Sequence, residues 1–357
     1  MENVILDLEK KYVPALKKFI ERQFHSKYIL LNDAFFDWQY KKDGRYTMKI
    51  IYHNGEVWGY CGFIPVSMKM GEKNVDGACF ANLMVDERAR GFGGGARLIQ
   101  SISELFPLCY INGYTAASEE IYRKLGRWMP MGNLNRYIKI LNPKKAGFLA
   151  ENFNFDLVPE KATQEKNFKF EKINLFDKKV NYFWEKVKTK YPLTIERSAE
   201  YLNGRYAMHP FLKYEMYVEE EHGAVSGFLI SRVEVVEENG ITFKIGRIID
   251  FVSLNESEEK IINYFSNEMQ NKNIDLIDFF FSGNFYTRSL FNQGFFAGNK
   301  PGYENIPILF NPISRKKKHI NFIAYFKDGA NTKNLLTDPN NWYITKGDGD
   351  QDRPNFV

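Results

Sequence analysis

One stretch of sequence decides the fold: Leu83-Met84-Val85-Asp86-Glu87-Arg88-Ala89-Arg90-Gly91-Phe92-Gly93-Gly94-Gly95-Ala96-Arg97-Leu98. An apolar strand leads into a cluster of glycines, and the glycines lead directly into apolar residues at helical spacing. Glycine tolerates positive φ and lets the backbone approach a ligand closely, while a helix N-terminus presents free N–H groups that favour an anion. An arginine beside the glycines can hold a phosphate through two parallel hydrogen bonds. The stretch therefore predicts a cradle for a pyrophosphate group.

Two other phosphate-binding loops fit this stretch poorly. A P-loop needs Lys followed by Ser or Thr after its last glycine, and neither pair follows these glycines. A dinucleotide-binding fold needs an early strand–helix–strand unit. The segments 48–52 and 57–65, joined by the turn-forming His53-Asn54-Gly55, instead predict an antiparallel hairpin ahead of the glycines.

The second informative feature is a repeat. The two pairs of similar segments are Gly55-Glu56-Val57-Trp58-Gly59-Tyr60 with Gly223-Ala224-Val225-Ser226-Gly227-Phe228, and Tyr122-Arg123-Lys124-Leu125-Gly126 with Leu290-Phe291-Asn292-Gln293-Gly294. Both pairs are separated by 168 positions, and a third similarity, between Gly44-Arg45-Tyr46 and Gly204-Arg205-Tyr206, has an offset of 160. Because predicted strands and helices follow in the same order in each half, we interpret the chain as a tandem duplication.

The glycine stretch also carries a family resemblance. The hexapeptide Arg90-Gly91-Phe92-Gly93-Gly94-Gly95 resembles the Arg/Gln-x-x-Gly-x-Gly/Ala signature of the GNAT superfamily of N-acetyltransferases, and Arg88 to Gly93 fits it in an overlapping register. The resemblance covers about residues 1–140 with the motif and about 181–310 through the repeat alone. It implies an α/β (α+β) fold of two tandem GNAT-like mixed-sheet domains with helices on both faces.

The resemblance also implies a division of the chain. We expect an N-terminal GNAT domain at 1–141 with the acetyl-CoA site, a connector at 142–180, a degenerate C-terminal GNAT domain at 181–313, and a strand with an Asp-rich tail at 314–357. The implied reaction transfers an acetyl group from acetyl-CoA, as cosubstrate, to the amine of a small molecule.

The same resemblance assigns roles to residues around the glycines. The CoA pyrophosphate would lie on the backbone amides of Arg90, Gly91, Phe92, Gly93, Gly94 and Gly95. The strand backbone at Leu83, Met84 and Val85 would pair with the pantetheine and polarise the thioester carbonyl. Tyr122, four residues before Gly126, is the expected general acid that protonates the departing thiolate. Asp86 and Glu87 are candidate bases, with a solvated surface carboxylate as the alternative interpretation of each.

The second copy of the repeat lacks the ligand-binding residues. At the offset of 168, Arg90 corresponds to Glu258 and Gly93 to Ile261. The segment around Glu258 has no glycine, and its carboxylates would repel a pyrophosphate. We therefore expect one acetyl-CoA site, in the N-terminal half, with the C-terminal half contributing to the acceptor pocket.

The end of the sequence alternates aspartates with small residues after a Trp-Tyr pair. It resembles the Asp-rich, Arg-Pro ending of tandem GNAT-like proteins associated with bacterial surface-polysaccharide synthesis, which implies an amino-sugar or sugar-nucleotide acceptor. The expected substrate-binding residues are Trp342, Asp348, Asp350, Asp352 and Arg353. The alternative is an ordinary polar chain terminus. Calcium is not expected, because the Gly and bidentate Glu that complete an Asp-x-Asp-x-Asp loop are missing.

Composition sets the remaining limits. The 357 residues suggest about two domains, and 44% hydrophobic with 26% charged residues is usual for a globular protein. The net charge of +5 does not demand a nucleic-acid partner. The three cysteines are widely spaced and suggest no disulfide framework and no metal site. No apolar window is long enough for a membrane span and the N-terminus lacks a signal-peptide pattern, so a cytoplasmic location is expected.

Two alternative functions stay open at this point. FemABX-like transferases, which take amino acids from aminoacyl-tRNA, also contain tandem GNAT-like halves, and the basic run at 315–318 would suit one. A non-catalytic CoA-binding protein with a degenerate site is the other alternative. The intact glycine signature argues against the FemABX-like transferase, and turnover on an amine would separate the acetyltransferase from the non-catalytic protein.

Overall fold

The computed structural model describes residues 4–24, 26–150, 170–301, 303–310, 313–316, 319–327 and 333–354. Within these ranges the helices are α1 (Val13–Gln23), α2 (Asp33–Tyr40), α3 (Glu87–Arg90), α4 (Gly94–Ser103), α5 (Ala116–Lys124), α6 (Pro143–Leu149), α7 (Lys179–Val187), α8 (Ala199–Leu202), α9 (Glu258–Asn271), α10 (Thr287–Asn292) and α11 (Lys333–Thr337). The strands are β1 (Val4–Asp7), β2 (Lys41–Lys42), β3 (Arg45–Tyr46), β4 (Met48–His53), β5 (Glu56–Met70), β6 (Lys73–Val85), β7 (Leu108–Asn112), β8 (Trp128–Asn133), β9 (Asn135–Ile140), β10 (Phe170–Ile173), β11 (Leu193–Ile195), β12 (Glu215–Glu221), β13 (Ala224–Glu238), β14 (Ile241–Ser253), β15 (Leu276–Phe281), β16 (Phe296–Ala297), β17 (Leu309–Phe310), β18 (Ile313–Ser314), β19 (Asn321–Phe326) and β20 (Trp342–Tyr343). Two long hairpins, β5–β6 and β13–β14, form the centres of two separate sheets.

The first sheet has the order β1-β4-β5-β6-β7-β19-β8, and β11 extends it by pairing with the far end of β5 and with β20. Side chains alternate between its two faces, as a pleated strand requires. In β4, Ile51 packs against the buried face of α4, whereas its neighbour Ile50 packs against α1 and α2. Helices therefore cover both faces of this sheet.

The second sheet has the order β10-β12-β13-β14-β15-β9-β16. Helix α9 packs its apolar side on it, and α7 packs against β13. The apolar side of α9 consists of Ile261, Ile262, Phe265 and Met269, all of them buried. Both sheets are mixed, since β6 pairs with β7 and β14 with β15 in parallel while most other neighbours are antiparallel. The predicted α/β class is confirmed.

The two sheets repeat one pattern of hydrogen-bonded pairing. Gly77 of β6 pairs with Leu108 of β7, and 168 positions later Ile245 of β14 pairs with Leu276 of β15. The same offset relates two further sets of pairs, Met48↔Gly62 with Met216↔Ile230 and Gly59↔Val85 with Gly227↔Ser253. The offset found in the sequence is thus also the offset of the strand register.

Each sheet contains strands from the other half of the chain. Strand β9 leaves the first half and pairs with β15 and β16 of the second sheet. Strand β19 returns from the second half and pairs with β7 and β8 of the first sheet. The sheets therefore do not follow the predicted domain boundaries at 141 and 314, because each sheet is completed by a strand from across them. The connector predicted at 142–180 contains α6 and β10, and its residues 151–169 lie outside the described ranges.

Among the described residues, no helix combines the length and the apolar character that crossing a membrane requires.

Candidate active site

Strands β6 and β7 separate partway along their length and leave a cleft between them. Residues 77–79 of β6 pair with 108–110 of β7, and both strands then continue past the paired segment. Beyond the pairing, β6 carries a β-bulge where its register with β5 shifts and Asn82 takes a φ of 57°. A bulge bends a strand and re-aims its side chains, so this one helps to hold the cleft open.

A cavity of about 280 Å³ occupies this cleft. Its walls come from the bulge of β6, the end of β7, the start of α5, the loop after α1 and the C-terminal residues of the chain. The side chains that matter for chemistry are Tyr60, Asn82, Asn112, Tyr122, Asp350 and Arg353. Two of their atoms, the Tyr60 hydroxyl and Asn112 Oδ1, are buried without a hydrogen-bond partner in the described part of the chain. Buried polar atoms of this kind are normally satisfied, so they are suited to contacts with a bound ligand.

The glycine stretch forms a tight turn between two helices at the end of β6. Helix α3 ends at Arg90, and α4 begins at Gly94 with Gly93 as its N-cap at a φ of 68°. Gly94 is packed closely, because an added Cβ would lie 2.8 Å from Ile51 Cδ1 and 2.9 Å from the Ala89 carbonyl oxygen. Gly91 and Gly93 face open space, where an added Cβ would meet nothing within 4 Å. The turn is therefore packed against the protein at Gly94, while Gly91 and Gly93 leave its outer surface bare of side chains.

The start of α4 presents backbone donors on this bare surface. The first intrahelical bond runs from Arg97 N–H to the Gly93 carbonyl at 3.0 Å. The N–H groups of the three residues before Arg97 therefore have no acceptor within the helix. Arg90 lies beside them, with its Nε donating to the Val85 carbonyl at 3.0 Å. A helix N-terminus of this kind, with an adjacent guanidinium, can bind a diphosphate.

Solved structures with a similar fold place this arrangement in context. No protein-family model matches the chain, and no curated protein matches it. A GCN5-related N-acetyltransferase from Anabaena variabilis superposes with a TM-score of 0.55 at 15% identity, over 90% of this chain and 72% of that one. N-myristoyltransferase from Saccharomyces cerevisiae with bound myristoyl-CoA gives 0.54 at 13% identity, over 90% and 82%. A probable N-acyltransferase from Enterococcus faecalis gives 0.58 at 7% identity, over 91% and 72%.

The chain has the GNAT fold. The predicted fold is thereby confirmed, and we call the opening between β6 and β7 the GNAT cleft. The strand residues expected to face the pantetheine lie at its edge: Leu83 lines the cavity, while Met84 and Val85 pair with Tyr60 and Gly59 on the other side of β6.

The structure does not bring the two predicted bases into the GNAT cleft. Asp86 caps α3, accepting the Arg88 N–H at 3.0 Å and two bonds from the Arg88 guanidinium at 2.9 Å. Hydrogen bonding from Arg88 lowers the pKa of Asp86 to about 2, which makes it a weak proton acceptor. Glu87 is exposed in the first turn of α3, and neither residue lines the cavity.

Tyr122 does lie in the GNAT cleft. Helix α5 positions it, beginning at the capping box of Thr115 and Ser118 and ending just before Gly126 at a φ of 74°. The Tyr122 ring is 2% exposed and packs against Trp128, with ring centroids 4.7 Å apart. Burial raises the pKa of Tyr122 well above its usual value, so the phenol is protonated at neutral pH.

The C-terminal segment, residues 342–354, begins by pairing with β11 of the first sheet and then contacts the end of β15 in the second sheet. Trp342 is fully buried, and its indole N–H donates to the Leu336 carbonyl at 2.9 Å. The Ser282 N–H donates to the Ile344 carbonyl at 2.8 Å, and Phe281 and Thr345 form an isolated bridge. Trp342 is thus a core residue, which corrects the expectation that it stacks on a sugar ring.

This part of the segment occupies the second cleft, the opening that corresponds to the GNAT cleft. The parallel pairing of β14 with β15 ends at Ile248↔Phe279, and the C-terminal segment fills the space beyond it. Gly347 packs so closely there that an added Cβ would lie 2.9 Å from Ile249 Cγ2. The cleft between β14 and β15 is thus filled by protein, and the described residues of the second half contain no glycine turn in its place.

Two of the predicted substrate-binding aspartates are locked in ion pairs. Asp348 is 3% exposed and accepts from Arg197 NH2 at 2.8 Å. Asp352 is 2% exposed and accepts from Arg232 at 2.8 to 3.1 Å, and from the Tyr214 hydroxyl at 2.8 Å. Burial alone would raise the pKa of Asp352, but the Arg232 guanidinium holds it well below its usual value. These two carboxylates are saturated by protein donors, which corrects their assignment as substrate ligands.

Asp350, Gln351 and Arg353 are the residues of the segment that line the GNAT cleft. Arg353 NH1 donates to Asn82 Oδ1 at 2.5 Å and lies 3.3 Å from Asp350 Oδ2. Asp350 also accepts from Gln351 Nε2 at 3.2 Å. Among the described residues that line the cavity, Asp350 is the one carboxylate. It therefore has the position of a base that the sequence had placed at Asp86 or Glu87.

Asn82, Asn112 and Tyr60 belong to no sequence motif that predicts a site. Asn82 lies at the bulge and donates through Nδ2 to the Tyr40 hydroxyl at 2.6 Å. Its positive φ is typical of asparagine, but a single asparagine in an apolar strand does not by itself predict a bulge.

No group of three or more His, Cys, Asp or Glu side chains in the described ranges is arranged to hold a metal ion.

Proposed function

We propose that this protein is an N-acyltransferase that moves an acetyl group from acetyl-CoA to the amine of a small molecule. One observation carries the proposal: the cleft beside the glycine turn contains both a buried tyrosine, Tyr122, and a carboxylate, Asp350. An acyl transfer to an amine needs a group that removes a proton from the amine and a group that protonates the leaving thiolate. The two side chains are of the types required.

The glycine turn is suited to the diphosphate of CoA. The donors at the start of α4 and the guanidinium of Arg90 present positive potential on a surface that Gly91 and Gly93 leave bare. The edge of β6 from Leu83 to Val85 leads from the turn to the cavity, so it could pair with an extended pantetheine arm. A yeast protein of the same fold binds an acyl-CoA, which supports this class of donor.

The reaction can be followed through the residues of the chain. Asp350 accepts one proton from the acceptor ammonium, and the free amine nitrogen forms a bond to the thioester carbonyl carbon. The C–S bond then breaks with its electron pair on sulfur, and Tyr122 gives its proton to that thiolate. The tetrahedral nitrogen loses a second proton, which restores the tyrosine, and Asp350 releases its proton to solvent.

The acceptor is proposed to be polar and compact, in keeping with an amino-sugar or sugar nucleotide in glycan synthesis. Asn82, Asn112, Tyr60 and Arg353 supply hydrogen-bonding groups around the cavity. Hydroxyl-rich ligands need many such partners when they are enclosed.

We further infer that the chain arose by tandem duplication, which is supported by the shared register offset of 168. We also propose that the protein is cytoplasmic and that it has no nucleic-acid partner.

Titration calorimetry and steady-state kinetics test the proposal together. Wild-type protein should bind acetyl-CoA and acetylate a member of an amino-sugar panel. Asp350→Asn should lower kcat by about 10²-fold or more, and Tyr122→Phe by at least about tenfold, with the Kd for acetyl-CoA changed less than about twofold in both. Asp338→Asn, which changes an aspartate earlier in the chain and outside the cavity lining, is the control and should retain full turnover.

Three results would count against the proposal. Absence of acetyl-CoA binding would remove the donor, and retention of aminoacyl-tRNA in its place would favour a FemABX-like transferase. Binding without turnover on any amine would favour a non-catalytic CoA-binding protein. Full turnover by Asp350→Asn would remove this carboxylate from the mechanism.

A further inference from the structure

We propose that Arg197 and Arg232 are positioning residues for the reaction in the GNAT cleft, because they clamp the chain on either side of Asp350. Both arginines belong to the second half of the chain, whose cleft between β14 and β15 is filled by the C-terminal segment. The inference rests on the proposed function and adds a role for the second half. That half holds the base that the first half uses.

The first clamp is Arg197 with Asp348. Arg197 is completely buried, and its guanidinium donates to Asp250, to Thr194 Oγ1 at 2.8 Å and to the Ile195 carbonyl at 2.9 Å. Its remaining terminal nitrogen, NH2, donates to Asp348 Oδ2 at 2.8 Å. A guanidinium with this many fixed partners cannot rotate freely, so it fixes Asp348 in one place.

The second clamp is Arg232 with Asp352. Arg232 Nε and NH2 contact the two oxygens of Asp352 at 2.8 to 3.1 Å, a bidentate geometry. Tyr214 donates to the same carboxylate at 2.8 Å, and Lys346 Nζ lies 3.9 Å from it. Asp352 is therefore held by three different side chains.

The backbone between the clamps is also held. Arg205 Nε donates to the Gly347 carbonyl at 2.9 Å, and another nitrogen of Arg205 donates to the Gly349 carbonyl. The Tyr110 hydroxyl, from β7, donates to the Asp348 carbonyl. Asp350 is two residues from each clamped aspartate, so its Cα lies within about 8 Å of both anchor Cα atoms. Little freedom remains in where its carboxylate can go.

The use of buried arginines at these two positions indicates that they orient the segment between them rather than merely attach it. A buried ion pair loses the hydration of both charges and is often no more stable than an apolar pair of similar volume. Trp342 and Tyr343 already secure the segment by apolar burial a few residues earlier. Two further buried arginines are therefore not needed to attach the segment, but their directional bonds fix the orientation of what lies between them.

Arg232→Lys in the wild-type and Asp350→Asn backgrounds tests the inference. Lysine keeps the charge, so Asp352 is not left buried and unpaired, but it cannot make the bidentate contact. We expect kcat to fall about tenfold in the wild-type background, with KM for acetyl-CoA changed less than about twofold. In the Asp350→Asn background the same substitution should change kcat less than about twofold, because a residue that acts through Asp350 has nothing left to position.

Arg197→Lys should behave in the same way. Arg315→Lys is the matched control: Arg315 makes a bidentate pair with Glu238 at 2.6 and 2.7 Å, and its substitution should leave kcat unchanged in both backgrounds. Equal falls in kcat with and without Asp350 would overturn the inference, since they would show a general structural effect. A wild-type protein that does not acetylate at all would instead overturn the proposed function, so the two failures are distinguishable.

Discussion

At the scale of single residues, hydrogen-bond partners decide which titratable groups are available for chemistry. Asp86 faces Arg88 and is held ionised, while Asp348 and Asp352 are saturated by buried arginines. Asp350 has a weaker set of partners, at 3.2 and 3.3 Å, and it lines the cavity. Residues of one type, close together in one short segment, therefore differ in role because their neighbours differ.

The protonation of His209 also depends on its neighbours, and it affects the stability of the protein. It is 8% exposed, and its Nδ1 accepts the backbone N–H groups of Phe211 at 3.1 Å and Leu212 at 2.9 Å. Burial, followed by the nearby charge of Arg205, lowers the pKa of His209 to about 4. The ring is thus neutral in the folded protein at every pH above that value.

We predict that His209 makes the protein less stable as the pH falls from about 6.5 to about 4. In this window the unfolded chain binds a proton on this ring and the folded protein does not, so the free energy of unfolding declines, by at most about 3 kcal/mol from this group. His209→Asn retains an acceptor for the two N–H groups but does not titrate. Urea unfolding at pH 4.5, 5.5 and 7 should give a flatter pH dependence for the variant, and parallel curves would contradict the assignment.

At the scale of elements, the turn between α3 and α4 combines two requirements on its glycines. Gly93 has a left-handed backbone conformation, which residues other than glycine adopt at a cost of about 1 to 2 kcal/mol. Gly91 has a φ of −60°, which any residue can adopt. Both face open space, so a Cβ at either position meets no neighbour within 4 Å.

We predict that Gly93→Ala weakens acetyl-CoA binding about five- to tenfold, whereas Gly91→Ala leaves it nearly unchanged. The added atom is the same in both variants, and only the backbone conformation differs. Strain at position 93 is expected to redirect the donors at the start of α4 and to lower the free energy of unfolding by about 1 kcal/mol. Calorimetry and thermal unfolding measure both effects, and equal affinities for the two variants would show that the turn does not bind the donor.

The exchanged strands are the second feature at this scale. Strand β9 completes the second sheet and β19 completes the first, so each sheet depends on chain from the other half. Short apolar segments such as these predict strands, but their partners lie far away in the sequence. The pairing is decided by which sheet offers an open edge when the halves come together.

At the scale of the whole molecule, the two halves share one pattern of strand pairing but differ in their clefts. The first half keeps an open cleft and a glycine turn, while the second cleft is filled by residues 342–348. The same segment then continues to the GNAT cleft and delivers Asp350 and Arg353. One continuous segment therefore fills the second cleft and also completes the GNAT cleft.

We predict that each chain binds one acetyl-CoA. Titration calorimetry of the wild-type protein should give a stoichiometry of one, because residues 342–348 fill the corresponding cleft of the second half. Gly93→Asp, which places a carboxylate on the turn, should abolish all of the binding heat through charge repulsion and backbone strain. A stoichiometry of two, or binding that remains in Gly93→Asp, would contradict this prediction.

Features that depend on neighbours along the chain are readable from the amino-acid sequence. The glycine turn, the helix that follows it and the hairpin before it are set by backbone preferences and by spacings of a few residues. The offset of 168 was readable because similar short segments occur in the same order in both halves, and the register of the strands has the same offset. These features were sufficient to predict the GNAT fold and the cradle of the proposed donor site.

Only the tertiary structure decided which residues complete the cleft. Arg232 meets Asp352 across 120 positions and Arg353 meets Asn82 across 271. No local pattern encodes such contacts, so the sequence alone could not show that Asp350 faces the cleft while Asp348 and Asp352 do not. The exchange of β9 and β19 and the filling of the second cleft have the same origin. They arise when distant segments bury their apolar surface and satisfy their polar groups together.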